Sequence, residues 1–450
     1  MAKSKKNPAA REAAAAVVGK VLDAGAYTNL AVNSFLKNHE LSDLERRFFT
    51  ELVYGTVKAS GVIDVYLGRC ASRPLEKINR EILNLLRVSL YQLLYLPRIP
   101  HAAVCNEAVN IARSLSHEGS TKFVNGVLRG FLRKFDKNGR SSICQDGGIE
   151  DRLAWRYYHP TWMVKRWLDL LGEDATEKLL VFNNSPAPVC LRVNTLKTTR
   201  EKLLAKLAAA GAEAHVSKWA QDGILCARLP ALATLFAEGS CDFYVQDESS
   251  MLVGMVADVA PGMAVLDLCS APGGKSTHLA QLMGNKGTIT ACDIYPHKLA
   301  LIKDNAKRLG IEIIDAVLND ATVLEKRWQG AFDRVLVDAP CSGLGVLRRR
   351  AEARWRKKES DLAYFPEVQL KALENAAKYV KATGRIIYST CTIEQAENSF
   401  LIDTFLAKEP GWQRRTFKHP VTGSLVDELV ILPQNDGIDG FYICVLEKGS

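Results

Sequence analysis

Apolar positions change their spacing twice along the chain, and each change marks a different kind of structure. In roughly the first 135 residues the period is helical. Val17, Val18, Val21 and Leu22 line one amphipathic stretch, and Leu83, Leu86, Leu90 and Leu93 recur at three and four. That spacing puts each set on one helix face, and no alternating stretch interrupts it. The run DKNGRSSICQDGG, Asp136 to Gly148, is rich in glycine, serine and charge and reads as a linker over 136–149. Between 150 and 245 helix and strand mix. A strand at PVCLRVN precedes a helix from Thr199 to Ala210, strands at Ala212–Val216 and Ile224–Ala227, a short helix after Pro230 and a strand at DFYV. The order β-α-β-β-α-β is the split ferredoxin-like arrangement, used by RNA-recognition folds and by many unrelated proteins. From 246 to 450 short apolar strands, MAVLDL, GTITACD, FDRVLVD and GRIIYST, alternate with helical segments such as HKLALIKDNAKRLG and 366–382. This pattern predicts a doubly wound parallel α/β sheet. The expected organisation is multidomain: all-α, then small α+β, then α/β.

Composition narrows the class. A hydrophobic fraction of 47% and a charged fraction of 24% are ordinary for a globular protein. No apolar run reaches membrane-helix length, and the basic start MAKSKKNPAAR is not followed by an apolar signal core, so a cytoplasmic location is expected. Eleven cysteines are too sparse for a disulfide scaffold, and neither CxxC nor HExxH occurs, so no metal site is expected. A formal net charge of +9 permits a polyanionic partner. Charge concentrates in RRRAEARWRKK, Arg348 to Lys358, with seven basic residues and one acid. Charge alone fits a solvated helix face equally well. Trp355 favours RNA contact, since an aromatic stacks on a base while Arg348, Arg349, Arg350 and Arg354 hold phosphates.

Candidate chemistry lies at strand ends. MAVLDL runs into CSAPGGKSTHLAQLM. A phosphate loop needs glycine five residues before Gly274, where Cys269 stands, so that reading falls. A tight glycine turn remains, which lets a ligand approach the backbone. Asp293 ends the next strand and suits ribose hydroxyls, while Asp320 follows the apolar AVL and suits an adenine amino group. Asp293 as a turn residue and Asp320 as a helix cap fit equally well. Acids on successive strands without a phosphate cradle point to a nucleoside such as S-adenosylmethionine. A further strand ends in DAPCSGLG, Asp338 to Gly345, and GRIIYSTCT carries Cys391 fifty residues after Cys341. Two strands of one sheet thus end in a thiol.

DAPCSG, STCT and CSAPGGK together resemble the RNA cytosine-5 methyltransferases, and more narrowly the Sun/Fmu family of bacterial 16S rRNA methyltransferase B. The resemblance runs nearly the whole length. LRVSLYQLLYLPRIPHAAVCNEAV and FVNGVLRGFLR resemble the family's NusB-like helical domain, which would span 1–135 and bind RNA. HPTWMVKRW, LRVNTLK and YVQDESSMLV resemble its middle segment, and DGFYICVLEK its closing strand. One local departure is RRRAEARW, where the family has His-Pro or Lys-Pro before the aromatic.

The resemblance implies a Rossmann-like class I methyltransferase domain. Cys269, Ser270, Ala271, Pro272, Gly273, Gly274 and Lys275 would form the S-adenosylmethionine loop, with Asp293, Asp320 and Asp338 as further contacts. Cys391 would be the nucleophile that adds to C6 of cytosine. Asp338 would stabilise the ring, and Cys341, or a water it holds, would remove the C5 proton. The implied partner is 16S rRNA, naked or in early assembly, methylated by a monomer. Three alternatives stay open: exchanged thiols, as in the DNA cytosine-5 enzymes; a tRNA substrate; and an RNA chaperone with a relic catalytic domain.

Overall fold

The computed structural model describes residues 10–116, 118–135, 147–229 and 241–449. Most of the expected linker and the expected helix after Pro230 lie outside these residues. The chain divides into two compact units, Met1–Ser185 with Leu347–Glu359, and Pro186–Val346 with Ser360–Ser450.

The first unit is helical. Helices Ala10–Leu22, Thr28–Asn38, Asp43–Cys70, Arg80–Tyr95, His101–Leu115 and Glu118–Lys134 share one core. The long helix starts on a capping box: Ser42 Oγ accepts from the Glu45 N–H while Glu45 Oε2 accepts from the Ser42 N–H. Leu83, Leu86, Leu90 and Leu93 are all buried, as their spacing predicts. Their helix is also buried on its polar side, where Asn84, Arg87, Ser89 and Gln92 are enclosed. Helices Ile149–Tyr157, Thr161–Leu171 and Glu173–Asn184 group with this unit. The mixed segment expected over 150–245 therefore divides, and its strands begin only at Val189.

The second unit holds two sheets. In the smaller, β1 (Val189–Val193), β2 (Glu213–Val216), β3 (Gly223–Arg228) and β4 (Phe243–Val245) pair antiparallel in the order β2-β3-β1-β4. Helix Arg200–Ala209 packs Leu203 and Leu207 against Leu191, Val193, Ile224 and Phe243. This is the predicted ferredoxin-like arrangement.

The larger sheet contains β5 (Ala264–Asp267), β6 (Thr288–Asp293), β7 (Ile314–Leu318), β8 (Phe332–Asp338) and β9 (Val380–Thr390), all parallel. Strands β10 (Trp412–Arg414), β13 (Glu428–Ile431) and β14 (Phe441–Lys448) complete it, while β11 (Phe417–Lys418) and β12 (Leu425–Val426) form a separate ribbon. The order is β10-β14-β9-β8-β5-β6-β7, with β13 on β14. The sheet is not wholly parallel as expected, because β14 runs antiparallel to β9, β10 and β13. The connection from Ile431 to Phe441 is shorter than the dozen or so residues a parallel crossover needs. Strand order reverses between β5 and β8, which opens a crevice at their carboxyl ends. Among the described residues no helix is long and apolar enough to cross a membrane.

Candidate active site

The carboxyl edge of the larger sheet carries an acid on β5, β6 and β8 and a thiol just beyond β9. Between β5 and helix Gly274–Leu282 the chain makes a closed turn. The Ser270 N–H donates to Cys292 O, and the Gly273 N–H to Ser270 O, each at 2.7 Å. Gly273 has φ +97°, and a Cβ there would lie 3.3 Å from Ile302 Cα. Glycine alone meets both conditions. Asp267 is fully buried and accepts Ser276 Oγ at 2.6 Å through Oδ2. Burial raises its pKa to about 7 against the lowering effect of that bond. Among the described residues its Oδ1 meets no donor in full hydrogen-bonding geometry, the Cys269 backbone standing nearby.

Asp293 Oδ1 accepts the Tyr295 N–H at 2.9 Å and stands 3.7 Å from Lys298 Nζ. Asp320 follows β7, where its Oδ1 accepts the Thr322 N–H at 2.9 Å and hydroxyl at 2.7 Å. It shapes a turn and caps no helix. A buried acid with an unused oxygen, a glycine turn and acids on adjacent strands fit a cationic nucleoside. S-adenosylmethionine, with its ammonium, sulfonium and ribose hydroxyls, matches this donor set.

The two thiols meet. Cys341 Sγ and Cys391 Sγ are 3.3 Å apart, brought together because β8 and β9 are adjacent and parallel. The hydrogen bond to Cys391, then burial, pushes the Cys341 thiol well up, so Cys341 holds its proton beside Cys391. Lys275 was expected only in the cofactor loop. Its Nζ also lies 2.7 Å from Asp338 Oδ2, and Ser389 Oγ donates to Asp338 Oδ1 at 2.8 Å. Cys269 is held protonated by burial and by the acids around it.

The NusB family matches residues 8–133, the ferredoxin-like domain of RsmF/B-like methyltransferases 159–230, and 16S rRNA methyltransferase RsmB/F 255–447. A Bacillus subtilis (strain 168) protein named "Probable ribosomal RNA small subunit methyltransferase B" is 40% identical, over 98% of this chain and 99% of its own. This chain belongs to the ribosomal RNA small subunit methyltransferase B family. A Serratia proteamaculans (strain 568) relative, "Ribosomal RNA small subunit methyltransferase B", is 33% identical over 93% of this chain and 97% of its own. The crystal structure of PH0851 is 28% identical with a TM-score of 0.87, covering 99% of this chain and 100% of that one. The protein is accordingly a methyltransferase whose methyl donor is S-adenosylmethionine.

Two polar residues of this methyltransferase escaped the sequence reading. Asp267 ends β5 as Asp293 and Asp338 end β6 and β8, a regularity visible in MAVLDL. Arg192, on β1, is fully buried and donates to Gly274 O at 2.5 Å, Thr277 Oγ1 at 3.0 Å and Gln246 Oε1. Burial lowers its pKa to about 9. The ferredoxin-like sheet thus braces the first turn of helix Gly274–Leu282, which no local pattern in LRVN announces.

The basic segment corrects an expectation. Most of Arg348–Lys358 packs within the helical unit of the methyltransferase. Arg354 is fully buried and donates to Asn184 Oδ1 at 2.7 Å, Asn183 O at 2.6 Å and Tyr158 O at 3.2 Å. Trp355 Nε1 donates to Lys58 O at 2.8 Å. Its ring lies on Gly61, where a Cβ would come within 2.2 Å of Trp355 Cζ3. Arg348 is buried with its guanidinium over the Phe182 ring. Arg348, Arg354 and Trp355 are therefore structural: each satisfies carbonyls or covers a ring, which charge patterning cannot distinguish from a solvated face. Arg350 is exposed and Arg349 half-buried.

Proposed function

We propose that this methyltransferase modifies C5 of a cytosine in 16S rRNA through a covalent adduct between Cys391 and C6. The observation that carries the proposal is the pair of thiols at 3.3 Å, beside the Lys275–Asp338 pair. C5 of cytosine is a weak nucleophile. Addition of the Cys391 thiolate forms an S–C6 bond and moves the C5=C6 electron pair toward C5. The ammonium of Lys275 and the carboxyl group of Asp338 face the charge that then spreads over the ring. Bound S-adenosylmethionine supplies an electrophilic methyl on a sulfonium, held by the loop Cys269–Lys275 with Asp267, Asp293, Asp320 and Asp338.

C5 takes the methyl group and still carries its proton. Once Cys391 is a thioether, it no longer holds the Cys341 proton in place. Cys341 then releases that proton to water and accepts the one from C5, directly or through a water. The C–H pair rebuilds C5=C6 and expels the Cys391 thiolate. The base must leave its stack to reach this edge, so the substrate is an unstacked cytosine. Arg349, Arg350 and the NusB-like region are the proposed RNA contacts, and a monomer in the cytoplasm acting on naked or early-assembly rRNA is the proposed setting.

Two experiments test this reading. Bisulfite sequencing of total RNA, with and without the gene, should show one cytosine of 16S rRNA losing protection. Cys391→Ala should form neither product nor adduct. Cys341→Ala should methylate and then stall, giving a slow ribonuclease-sensitive band under denaturing electrophoresis. The reverse pattern would exchange the thiols, and a protected cytosine in tRNA would replace the substrate.

A further inference from the structure

Each thiol is bracketed by a buried polar side chain, and the two brackets are consecutive residues. Glu397, 1% exposed, ends the turn Gln395–Glu397, and Asn398, 4% exposed, leads into helix Ser399–Lys408. Asn398 Oδ1 accepts Thr390 Oγ1 at 2.6 Å, and its Nδ2 donates to Thr392 O at 3.0 Å. Those are the two neighbours of Cys391. Glu397 Oε2 accepts the Ser342 N–H and Gln369 Nε2, both at 2.9 Å. The same Gln369 amide donates to Pro340 O at 2.9 Å. Those are the two neighbours of Cys341. Tyr388 Oη donates to Glu397 O at 2.7 Å, which seats the turn on β9. Ser342 Oγ and Thr392 Oγ1, 2.7 Å apart, tie the two loops together.

A carboxylate and an amide are expensive to bury unless hydrogen bonds engage them, and here those bonds reach the residues on either side of each sulfur: the Thr390 hydroxyl and Thr392 O around Cys391, and the Ser342 N–H and, through Gln369, Pro340 O around Cys341. Pinning a residue on both sides restricts its backbone dihedrals and hence the direction of its side chain. Glu397 also places negative charge near Cys341, which disfavours a second thiolate beside Cys391.

We infer that Asn398 and Glu397 are positioning residues, Asn398 aiming the Cys391 thiol and Glu397, with Gln369, aiming the Cys341 thiol, so that losing one impairs only the step its thiol performs. The inference rests on the thiol roles proposed above. Neither residue touches the substrate; both act through the cysteines.

The test compares full-length variants with the two cysteine variants, on 16S rRNA with S-adenosylmethionine. Asn398→Ala should slow single-turnover methyl transfer by roughly 100-fold, the scale of a small misplacement of reacting groups, and accumulate no adduct. Glu397→Ala should transfer the methyl group within about tenfold of the unsubstituted rate and accumulate adduct, as Cys341→Ala does. Glu397→Gln keeps an acceptor oxygen for the Ser342 N–H and should restore release. If Glu397→Ala does not fold, Gln369→Leu, which unpins Pro340, should give the same stalled band. Calorimetric affinity for S-adenosylmethionine should stay unchanged throughout. Equal loss of both steps in Asn398→Ala and Glu397→Ala overturns the inference. So does lowered thermal stability with an unchanged ratio of adduct to product. Should the cysteine variants exchange phenotypes, the thiol roles fall. The clamp survives if Asn398→Ala still follows Cys391→Ala and Glu397→Ala still follows Cys341→Ala.

Discussion

The Lys275 ammonium and the Asp338 carboxylate are locked at 2.7 Å, with Cys391 close enough to add to the attraction on the lysine. Burial works against the charged lysine, but attraction and the hydrogen bond to Asp338, with further attraction from Cys391, hold its pKa above the ordinary value. The interaction is mutual, and a charged Lys275 favours a thiolate at Cys391. Lys275→Met should slow iodoacetamide alkylation of Cys391 at neutral pH by about tenfold, the effect of one pKa unit. Mass spectrometry of the peptide carrying Cys391 measures it. An unchanged rate would sink the electrostatic role of Lys275.

Two buried groups in the second unit titrate in opposition. Burial raises Asp267 to about 7, above its ordinary 3.8, so its contribution to stability is full below 3.8 and is lost as pH rises through 7. Burial lowers His278 from 6.5 to about 4, so its contribution is full above 6.5 and is lost as pH falls to 4. The spans correspond to about 4 and about 3 kcal/mol. Between pH 4 and 6.5 the two nearly cancel. The thermal midpoint of Asp267→Asn, relative to the unsubstituted chain, should rise from pH 4 to pH 7. That of His278→Asn should rise as pH falls from 6.5 to 4. Parallel curves for variant and parent would refute the assignments.

Asp293 and Asp320 should contribute unequally to cofactor binding. Asp293→Ala should weaken S-adenosylmethionine by about 1–3 kcal/mol, the loss of hydrogen bonds to a charged acceptor. Asp320→Ala should cost less, because its Oδ1 is already committed to both groups of Thr322. Calorimetry without added metal decides both.

Arg354→Ala should act on stability, not on RNA. It strands Asn183 O, Tyr158 O and Asn184 Oδ1 in a buried site, at a cost of about 1–3 kcal/mol. The salt dependence of RNA affinity should stay as it was. Replacing Arg349 and Arg350 by glutamate should flatten that dependence with little change in thermal midpoint. Exchanged outcomes would restore Arg354 as an RNA contact.

Gly345 should tolerate no side chain. A Cβ there would lie 2.3 Å from Gly440 O, backbone that cannot swing aside, while the Gly345 N–H is held by Cys391 O at 3.1 Å. Gly345→Ala should therefore shift the Cys341 loop, lower stability by about 1–3 kcal/mol and slow product release. A thermal scan with single-turnover adduct analysis checks it.

Local chemistry carried much of this protein in the sequence. The helical spacing of Leu83, Leu86, Leu90 and Leu93, the ferredoxin-like order after Val189, the apolar strands and the glycine turn at Gly273 all express preferences that act over a few residues. Cys341 and Cys391 were legible as candidates because each follows closely on an apolar strand. What distant residues do together was not. The direction of β14 depends on its hairpin partner, since a buried strand reads the same either way. Arg348, Arg354 and Trp355 read as a basic, exposed run because charge patterning cannot register carbonyls contributed by residues 58, 158 and 183. The bonds from Ser342 to Glu397 and between the Ser342 and Thr392 hydroxyls likewise need β8 and β9 side by side. The sequence determined which groups end the strands. Tertiary structure decided which of those groups meet, because a hydrogen bond requires atoms within about 3 Å, a distance that only the folded sheet imposes on residues fifty positions apart.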